Sequence, residues 1–596
     1  MFLVAAFVLS IFAAQTLRIQ GLDNDAVAAQ ALNERQGQGS VIPALRGSIT
    51  DRNGAVLAAS TPVRTVVIDQ TAVCTYGFGG QDCDPGTAGV AIQHAAQKLA
   101  PLLRLSESTL IPKLTGDRRY VIVAKNVSEE NWNRVASLGI PGVYSERGTT
   151  RAYPTGTTSA SLVGFVRNDG EPGAGLELQL NKALAGQAGS EKSELSQGGM
   201  VIPNSREEIT PAVPGKDVEL TIDADLQWYA QNALASQIKK VNALSGTAVV
   251  MDVKTGQLLA LASYPTFDPA NFGASASNGL SNRAFTDVFE PGSTAKVVTM
   301  AAGLQEGAIT PSTPVIVPSQ LYRQGQMFRD AEAHGTEYLT ATGALAKSSN
   351  MGMMLISETM KPATIYHYFR TFGFGETSGS GFAGESAGLL TNYTKWNGTQ
   401  RYTVVYGQGV SVTAVQDASV FQTIANGGVR VPPRLVKAVA SDDGSMAEQA
   451  QPDGIRVVSP QVADQVSTML EGVVSDQGTA PAAKIAGYRV AGKTGTANRY
   501  DPTLKKYSGY TASFIGYAPA DNPRFVVAVI VQRPVKGTAG GVVAAPVFKE
   551  VMTYALQHFK VPPTGTKSPT VTVELDGPPA ADDPTVIGRA SGATGQ

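Results

Sequence analysis

Histidine, cysteine and tryptophan are scarce in this chain, with four, two and three copies among 596 residues. The four histidines, His94, His334, His367 and His558, are widely scattered, and none stands at a spacing that suits metal ligation. Two cysteines do not make up a zinc site in the absence of suitably spaced histidines. The sequence therefore predicts no metal site and no cofactor.

An excess of charge of either sign is also lacking, since 48 Lys and Arg residues face 49 Asp and Glu residues, for a net charge of −1. Proteins that bind nucleic acid through its phosphates usually show a basic surplus, so nucleic acid is not expected as a partner. With 43% hydrophobic and 16% charged residues, the composition is that of a globular protein. The length is too great for one hydrophobic core and predicts two to four domains.

Basic residues are missing ahead of the apolar segment at the N-terminus. The first residues, 1–14, are apolar apart from Ser10, and Leu17 extends the run. This is shorter than the ~20 residues that span a bilayer, and no Lys or Arg precedes it. We interpret residues 1–17 as a transmembrane anchor whose cytoplasmic beginning is missing. The alternative is a cleaved signal peptide, which Ala13-Ala14 supports.

An anchor of this kind predicts a single-pass protein of the cell membrane, with the rest of the chain on the extracytoplasmic face. Cys74 and Cys83 flank a glycine-rich loop, and in that compartment we expect them to form a disulfide. Two unrelated small residues are the alternative interpretation.

Beyond the anchor, the pattern of residues predicts three segments. Residues 18–220 form an N-terminal module that begins with a polar, helical stalk over 18–40. Residues 221–560 form a mixed α/β domain, with buried strands first and last and helices between them. Residues 561–596 are rich in Pro, Thr, Gly and Asp without an apolar period, and we expect them to be disordered.

Within these segments several elements can be predicted. An Asn-Gly turn after residue 52 indicates a hairpin. The other expected strands are 161–166, 213–223, 247–251, 258–262 and 525–531, and the expected helices are 175–184, 226–241 and 547–558.

Three short motifs occur in one order along the chain: Ser293-Thr-Ala-Lys296 after a Glu-Pro-Gly turn, then Ser348-Ser-Asn350, then Lys493-Thr-Gly-Thr496. A lysine three residues after a serine on a helix shares its face and can take its proton. Together the motifs are typical of enzymes that acylate a serine without a histidine.

Each motif is weak evidence alone, because the chain contains decoys. Ser236-Gln-Ile-Lys239 repeats the first pattern, and Lys254-Thr-Gly256 repeats the third. Ser348-Ser-Asn350 is the only S-x-N, and none lies between the decoys. The second lysine triplet also stands between two apolar runs, which predicts a hairpin turn. Only the set at 293, 348 and 493 is complete.

The first motif predicts the nucleophile and its base. Glu-Pro-Gly does not continue a helix backwards, so Ser293 stands at the N-terminus of an apolar helix over 294–304, where developing negative charge is favoured. Lys296 follows one turn later, next to Val297 and Val298. Desolvation there lowers a lysine pKa toward the neutral form that a base requires. An isolated Ser-Lys pair would more often be an ordinary helix face.

The other two motifs predict a proton relay and a binding strand. Ser348 can relay a proton to the leaving amine, and the Asn350 amide can donate and accept hydrogen bonds. A glycine in the strand lets a peptide backbone lie alongside, and a lysine with two hydroxyls suits a terminal carboxylate. The expected ligand is a peptide C-terminus in extended form. The predicted binding residues are Lys493, Thr494, Gly495 and Thr496.

These motifs resemble those of the class B penicillin-binding proteins, the monofunctional D,D-transpeptidases, and most closely the division-type branch. The resemblance runs from about residue 46 to residue 559. Its further motifs include Phe289-Glu-Pro-Gly-Ser293, Gly384-Glu-Ser-Ala-Gly-Leu389, Tyr406-Gly-Gln-Gly409 and Ala512-Ser-Phe-Ile-Gly-Tyr-Ala-Pro519. It implies a transpeptidase fold with a central, mainly antiparallel sheet and flanking helices, preceded by an elongated α+β pedestal or dimerisation-type module.

The resemblance also implies a reaction. Ser293 would attack the penultimate D-alanine carbonyl of a peptidoglycan stem peptide and expel terminal D-alanine, with backbone N–H groups of Ser293 and Thr496 as the oxyanion hole. An amine of a neighbouring stem would resolve the acyl-enzyme, and β-lactams would inhibit. One departure is Ser349 in place of the common central Asp, which we expect to cost little activity because Ser348 and Asn350 are present.

Other functions share these motifs. A β-lactamase needs a carboxylate to activate the deacylating water, for which Glu385 in a glycine-rich loop is the candidate. A D,D-carboxypeptidase differs only in using water as the acceptor. A non-catalytic scaffold of the division complex would keep the fold, although the intact motifs argue against it. Nothing before residue 220 suggests a glycosyltransferase, so the resemblance implies a membrane glycosyltransferase and other cell-division proteins as partners.

Overall fold

The computed structural model describes residues 2–18, 40–77, 85–192, 208–274 and 279–589. Most of the predicted stalk, Cys83 and residues 590–596 lie outside these ranges. The chain forms two compact units: the first comprises 1–48, 59–152 and 182–216, and the second comprises 49–58, 153–181 and 217–596. The chain thus enters the second unit twice before residue 217, whereas the sequence predicted one boundary at residue 220.

The first unit begins with the helix Phe2–Leu17, which is 16 residues long. In the described part of the chain, no helix is both long enough and apolar enough to cross a membrane. The unit's main sheet is built on residues 59–68 of the strand Val56–Ile68, which pair antiparallel with Val143–Ala152 along one edge and Val121–Val127 along the other. Ser40–Ile42, Gly189–Lys192 and Glu208–Thr210 form a second, three-stranded sheet.

Helices complete the core of the first unit. Pro85–Leu103 and Glu107–Leu114 contribute buried side chains such as Leu99 and Leu110, which cluster with Val66 from the sheet. Shorter helices span Gln70–Val73, Glu129–Ala136 and Asn181–Leu184. The unit is therefore α+β, as expected.

The second unit contains the central sheet. Its five strands are all antiparallel, in the order Leu258–Tyr264, Ser245–Asp252, Phe525–Gln532, Lys506–Ala518 and Ala491–Asp501. The inner strands contain runs of buried apolar residues, such as 248–251 and 525–531, as expected for a sheet covered on both faces. The mainly antiparallel sheet predicted from the motifs is confirmed.

The two faces of this sheet are covered by different helices. Phe514 packs edge-on against Phe548 of the C-terminal helix Ala545–His558, which lies beside the helix Ala224–Lys240. The next residue back, Ser513, points to the opposite face because side chains alternate along a strand. On that face lies the helix Ala414–Ala425, all of whose residues are buried. It is a core helix, capped at its start by Thr413 and Gln416 in a capping box.

The remaining elements of the second unit surround this core. Ile49–Thr50 pairs with residues 56–58. Other short strand pairs join Phe165–Val166 to Pro172–Ala174, Pro314–Val317 to Glu337–Thr340, Leu321–Arg323 to Gln326–Phe328, and Val429–Arg430 to Ile455–Arg456. Further strands are Val218–Leu220, Val436–Ala440 and Met446–Glu448. The other α-helices are Ala160–Val163, Gly175–Gln179, Arg283–Thr286, Lys296–Gln305, Ala341–Ala346, Asn350–Glu358, Pro362–Thr371, Gln400–Thr403, Pro460–Val474 and Gly540–Val543. Single 3-10 turns span Gly292–Ala295, Tyr393–Lys395, Val404–Tyr406 and Pro481–Ala483, and Pro269–Ala274 is a 3-10 segment with a kink at Asn271.

Two predicted strands differ from the structure. Residues 161–166 were expected to be extended, but Ala160–Val163 is helical, and only Phe165–Val166 is a strand. Of residues 213–223, only Val218–Leu220 forms a strand. Residues 161–166 are short and mainly apolar, and in such runs periodicity does not separate strand from buried helix. Residues 213–223 contain Pro214 and Gly215, which interrupt a strand.

The expectation of a disordered tail is wrong over residues 561–589. The Ile316 N–H donates to the Ile587 carbonyl at 2.9 Å, and the Thr340 hydroxyl donates to the Thr572 carbonyl at 2.6 Å. Val573 is only 3% exposed. The segment is held largely by backbone hydrogen bonds, which its composition does not reveal.

Candidate active site

The turn before Ser293 is held from two sides. Gly292 has a φ of +58° and begins a 3-10 turn, Gly292–Ala295, that leads into the helix Lys296–Gln305. Its N–H donates to the Gly407 carbonyl at 3.0 Å. A Cβ at Gly407 would lie 2.1 Å from the Gly292 carbonyl oxygen, so only glycine allows this approach. Ser293, half-buried, is thereby presented at the start of a buried helix.

Lys296 is completely buried one turn further along. Its Nζ donates to the Ser348 carbonyl and lies 3.3 Å from Ser348 Oγ. Among the described residues, no hydrogen bond joins it to Ser293. Burial lowers the pKa of Lys296 to about 7, although the nearby charge of Asp330 acts in the opposite direction. A large neutral fraction is therefore present at neutral pH, as the sequence led us to expect.

Ser348 adopts a backbone conformation that is rare for a residue with a side chain. Its φ is +63°, in the left-handed region, which costs about 1–2 kcal/mol. Its Oγ lies 2.9 Å from Lys493 Nζ and 3.3 Å from Lys296 Nζ. The strained residue thus places one hydroxyl between two amines, which is the arrangement a proton relay requires.

Lys493 is also completely buried, and its Nζ lies 3.2 Å from both the carbonyl and the hydroxyl oxygen of Thr494. Burial, together with repulsion from Lys296, holds its pKa well below the usual range. The sequence predicted that this lysine suits a terminal carboxylate, and its burial favours the neutral form when no anion is near. A carboxylate bound beside it would raise the pKa again.

The third motif lies on Ala491–Asp501, the outermost strand of the central sheet. An edge strand can accept an extended peptide as a further strand, and the predicted mode of binding requires such an edge. Thr496 is exposed, and its Oγ1 accepts from the Gly540 N–H at 3.3 Å. Thr494 points inward, and its hydroxyl lies 2.8 Å from that of Thr479.

Gly495 has a packing role that the sequence did not predict. We predicted that its small size makes room for a ligand backbone. In the structure, a Cβ at Gly495 would lie 2.2 Å from Ser513 Oγ and 2.9 Å from the Pro291 carbonyl oxygen. Its missing side chain therefore lets the turn before Ser293 pack against the edge strand.

Asp330 is a residue of the site that the sequence did not reveal. Its Oδ1 accepts from the N–H groups of Asn350 and Met351, and its Oδ2 accepts from the Ser349 hydroxyl at 2.6 Å. Ser349 also caps the helix Asn350–Glu358 by accepting from the Gly352 N–H at 2.8 Å. Ser349 replaces the family's common Asp, and Asp330 supplies the carboxylate that a helix N-terminus favours. No local motif marks it.

The side chain of Asn350 is half-buried, and its amide forms no hydrogen bond with any described residue.

The decoy motifs lie away from this site. Ser236 and Lys239 are exposed on the helix Ala224–Lys240, and Lys254 is exposed in a hairpin turn, where its N–H donates to Asp252 at 3.0 Å.

Glu385, the candidate base of a β-lactamase, is engaged within its own loop. One carboxylate oxygen accepts from the Ser378 N–H and the other from the Ser380 hydroxyl, both at 3.0 Å. The carboxylate thus stabilises the loop, and this does not favour a role in activating water.

Two further predictions concern cysteines and metals. Cys83 lies outside the described residues, so its pairing with Cys74 stays a prediction. Asp223, Asp225 and His558 bring their ligand atoms within 4.8 Å of one another. Asp223, however, caps the helix Ala224–Lys240 and pairs with His558 at 3.1 Å, so its oxygens already have structural partners.

The group beside the reacting serines is an amine rather than an imidazole. A serine acyltransferase that transfers protons through lysine in this way belongs, by its chemistry, to the class of penicillin-binding enzymes.

The comparisons with known proteins agree. Residues 246–553 match the family model described as the penicillin binding protein transpeptidase domain, and residues 41–220 match that of the penicillin-binding protein dimerisation domain. The chain belongs to the class B penicillin-binding proteins of the division type.

Individual relatives cover most of the chain. Penicillin-binding protein PbpB of Mycolicibacterium smegmatis is 35% identical over 588 residues, which are 95% of this chain and 90% of that one. Peptidoglycan D,D-transpeptidase FtsI of Escherichia coli is 31% identical over 543 residues, 89% of this chain and 87% of that one. The crystal structure of penicillin binding protein 3 from Mycobacterium tuberculosis with aztreonam, 33% identical, matches with a TM-score of 0.69 over 90% of this chain and 100% of that one.

Proposed function

We propose that this protein is a peptidoglycan D,D-transpeptidase that cross-links stem peptides at the division septum. The observation that supports this best is the Ser348 hydroxyl, which lies between the buried amines of Lys296 and Lys493 next to an edge strand. The site has a nucleophile, a base, a relay and a surface for an extended peptide.

In the first half of the reaction, neutral Lys296 takes the proton of Ser293 as its oxygen attacks the penultimate D-alanine carbonyl. The negative oxygen of the tetrahedral intermediate is stabilised by backbone N–H groups at Ser293 and Thr496. Ser348 passes a proton to the departing amine of terminal D-alanine and regains one from a neighbouring lysine. The C–N bond breaks, and the stem peptide remains on Ser293 as an ester.

In the second half, an amine of a neighbouring stem attacks the ester, gives up its proton to the same lysine–serine relay, and forms a new peptide bond. Ser293 recovers its proton and is released. Lys493, protonated next to the donor's terminal carboxylate, compensates its charge during binding.

Product analysis tests this proposal. Purified protein is incubated with stem peptides that end in D-Ala-D-Ala and with an amine acceptor, and products are identified by mass spectrometry. We expect cross-linked dimers and free D-alanine, both absent with Ser293→Ala. Trimmed peptides without dimers would instead establish a carboxypeptidase, and hydrolysed penicillin released at a high rate would establish a β-lactamase.

A labelling experiment tests the nucleophile. A fluorescent penicillin adduct is digested, and the labelled peptide is sequenced. We expect the label on Ser293, and a label on Ser236 would contradict the assignment.

We further propose that the protein is anchored in the cell membrane by residues 1–17, with its catalytic domain outside the cytoplasm, and that it works with a membrane glycosyltransferase and other cell-division proteins. The apolar helix Phe2–Leu17 and the peptide-binding edge strand support this proposal. Protease added to intact spheroplasts should degrade the catalytic domain, and protection of that domain would contradict the orientation. Cross-linking in cells, followed by mass spectrometry, should recover a glycosyltransferase.

A further inference from the structure

A buried carboxyl group that takes no part in the mechanism above lies behind the nucleophile. Asp417, on the core helix Ala414–Ala425, is 0% exposed. Its Oδ2 lies 2.8 Å from the hydroxyl of Thr294, the residue that follows Ser293. Its Oδ1 is buried without a hydrogen-bond partner among the described residues.

The number of protons at this contact indicates the state of Asp417. The Thr294 hydroxyl also lies 3.0 Å from the Pro291 carbonyl oxygen. A hydroxyl has one proton and can donate to only one of these two acceptors. If Asp417 were ionised, Thr294 could donate either to Asp417 or to the Pro291 carbonyl. At the acceptor left over, two oxygens would then lie in contact without a proton between them. If Asp417 is protonated, it donates to Thr294, which donates to Pro291, and both contacts are hydrogen bonds.

The surroundings of Asp417 also favour its neutral form. Burial raises the pKa of Asp417 to about 7, opposed only by the hydrogen bond with Thr294. In the described part of the chain, no charged side chain contributes to this shift. The elements packed against the core helix have charged groups with other partners: Arg283 pairs with Asp287, Asp252 with Arg524, Glu471 with Arg489, and Lys296 bonds Ser348. Arg430 pairs with Glu376, and Asp464 and Lys506 are the other charged groups on these elements. An unpartnered Oδ1 is also less costly on a neutral acid than on a carboxylate.

We propose that Asp417 is a positioning residue that holds a proton and, through Thr294, fixes the turn from Pro291 to Ser293. This turn contains Gly292 in the left-handed region, and because glycine is conformationally free the turn needs contacts that hold it. Loss of the proton turns one hydrogen bond into a repulsive contact between oxygens directly beside the nucleophile. Acylation of Ser293 should therefore slow as Asp417 ionises.

The pH dependence of penicillin acylation tests the proposal, whichever acceptor the enzyme uses afterwards. The second-order rate constant of acylation is measured from about pH 5.5 to about pH 9, a range in which both Lys296 and Asp417 titrate. In the wild type, the rate should rise as Lys296 becomes neutral and fall as Asp417 ionises. In Asp417→Asn, the amide donates to Thr294 at every pH, so the alkaline decrease should disappear.

Two further variants distinguish positioning from a general structural role. Thr294→Val removes the connection to Pro291 and should lower the rate about tenfold without an alkaline decrease. Thr299→Val is the matched control, because this buried hydroxyl on the nucleophile helix donates to the Val405 carbonyl at 2.7 Å, away from Asp417. It should keep the shape of the wild-type profile.

Infrared spectroscopy gives a readout that does not depend on activity. The wild type at slightly acidic pH should show the C=O band of a protonated carboxyl group that is missing in Asp417→Asn. If that variant does not fold, the same band is compared between the wild type and Thr294→Val. An alkaline decrease that persists in both variants, or a difference spectrum without the acid band, would overturn the proposal.

Discussion

At the scale of single residues, the site depends on the protonation of two neighbouring lysines. The Nζ atoms of Lys296 and Lys493 both reach the Ser348 hydroxyl, and burial lowers the pKa of each. Two amines so close together are not both charged unless an anion compensates them. The site is therefore ready to take a proton at Lys296 and to receive a carboxylate at Lys493.

Replacing Lys493 by Ala should abolish most penicillin binding with little effect on the fold. A buried carboxylate that loses its cation is destabilised by about 3–5 kcal/mol, which corresponds to an acylation rate lower by at least ~10²-fold. The rate is measured with fluorescent penicillin, and the melting temperature (Tm) checks the fold. Lys254→Ala, in the exposed decoy triplet, is the control and should react normally. Normal labelling of Lys493→Ala would show that the carboxylate binds elsewhere.

Replacing Lys296 by Met should abolish acylation and raise the Tm at neutral pH. The folded-state pKa of Lys296, about 7, lies below the ordinary lysine value of ~10.4 in the unfolded chain. Between these two pH values only the unfolded chain binds the proton, so the free energy of unfolding of the wild type increases with pH. The loss of stability caused by burying Lys296 is therefore greatest at or below about pH 7.

The Tm of Lys296→Met should therefore exceed that of the wild type by a few degrees at about pH 7, and the difference should shrink toward about pH 10. Calorimetry at both pH values provides the measurement. Lys239→Met, on an exposed helix face, should change neither value. A Tm difference independent of pH would mean that Lys296 is charged in the folded protein.

At the scale of secondary structure, the helix Asn350–Glu358 is positioned by an acid from a different part of the chain. Asp330 lies at its N-terminus and bonds the N–H groups of Asn350 and Met351. The helix dipole and these hydrogen bonds together fix the start of the helix, and with it the strained Ser348.

Asp330→Ala should consequently slow acylation by about 10–100-fold, because a displaced Ser348 no longer bridges the two lysines. The Tm should fall as well, by the loss of roughly 1–3 kcal/mol from unpaired N–H groups. Adding Ser349→Asp to this variant restores a carboxylate at the helix cap and should recover part of both quantities. A double variant no better than Asp330→Ala alone would show that the negative charge is not what matters.

At the scale of the whole molecule, the end of the chain stabilises the region that leads to the second motif. The Val573 carbonyl lies so close to the helix Ala341–Ala346 that a Cβ at Gly343 would approach it to 1.9 Å. Glu574 forms an ion pair with Lys347, the residue before Ser348. The tail thus contacts the segment that positions the relay.

Truncation after residue 560 removes Val573, exposes the surface that it covers, and removes several hydrogen bonds. The free energy of unfolding should decrease by roughly 2–4 kcal/mol, which lowers the Tm by several degrees. Acylation should slow as well, because Lys347 loses one of its acidic partners. Truncation after residue 589 keeps every tail contact described above and should match the full chain. Equal Tm values for both truncations would contradict a stabilising role.

Sequence alone was sufficient for the features that depend on local order. The positions of Ser293, Lys296 and Lys493, the hairpin at the decoy Lys254 triplet and three apolar strands of the central sheet follow from short motifs or apolar runs, whereas the strand Lys506–Ala518 was not predicted. Spacing along a helix or strand determines which side chains share a face, and so these predictions required no knowledge of distant contacts.

Only the tertiary structure could decide which distant groups meet. Asp330 reaches the second motif, Asp417 lies behind Thr294, and the tail pairs with strands more than 200 residues earlier, although no local pattern marks any of them. The Pro291 turn packs so closely on Gly495 that a side chain there is excluded, which no local pattern reveals. The pKa of a buried lysine likewise depends on burial and on neighbouring charges, which are properties of the folded chain.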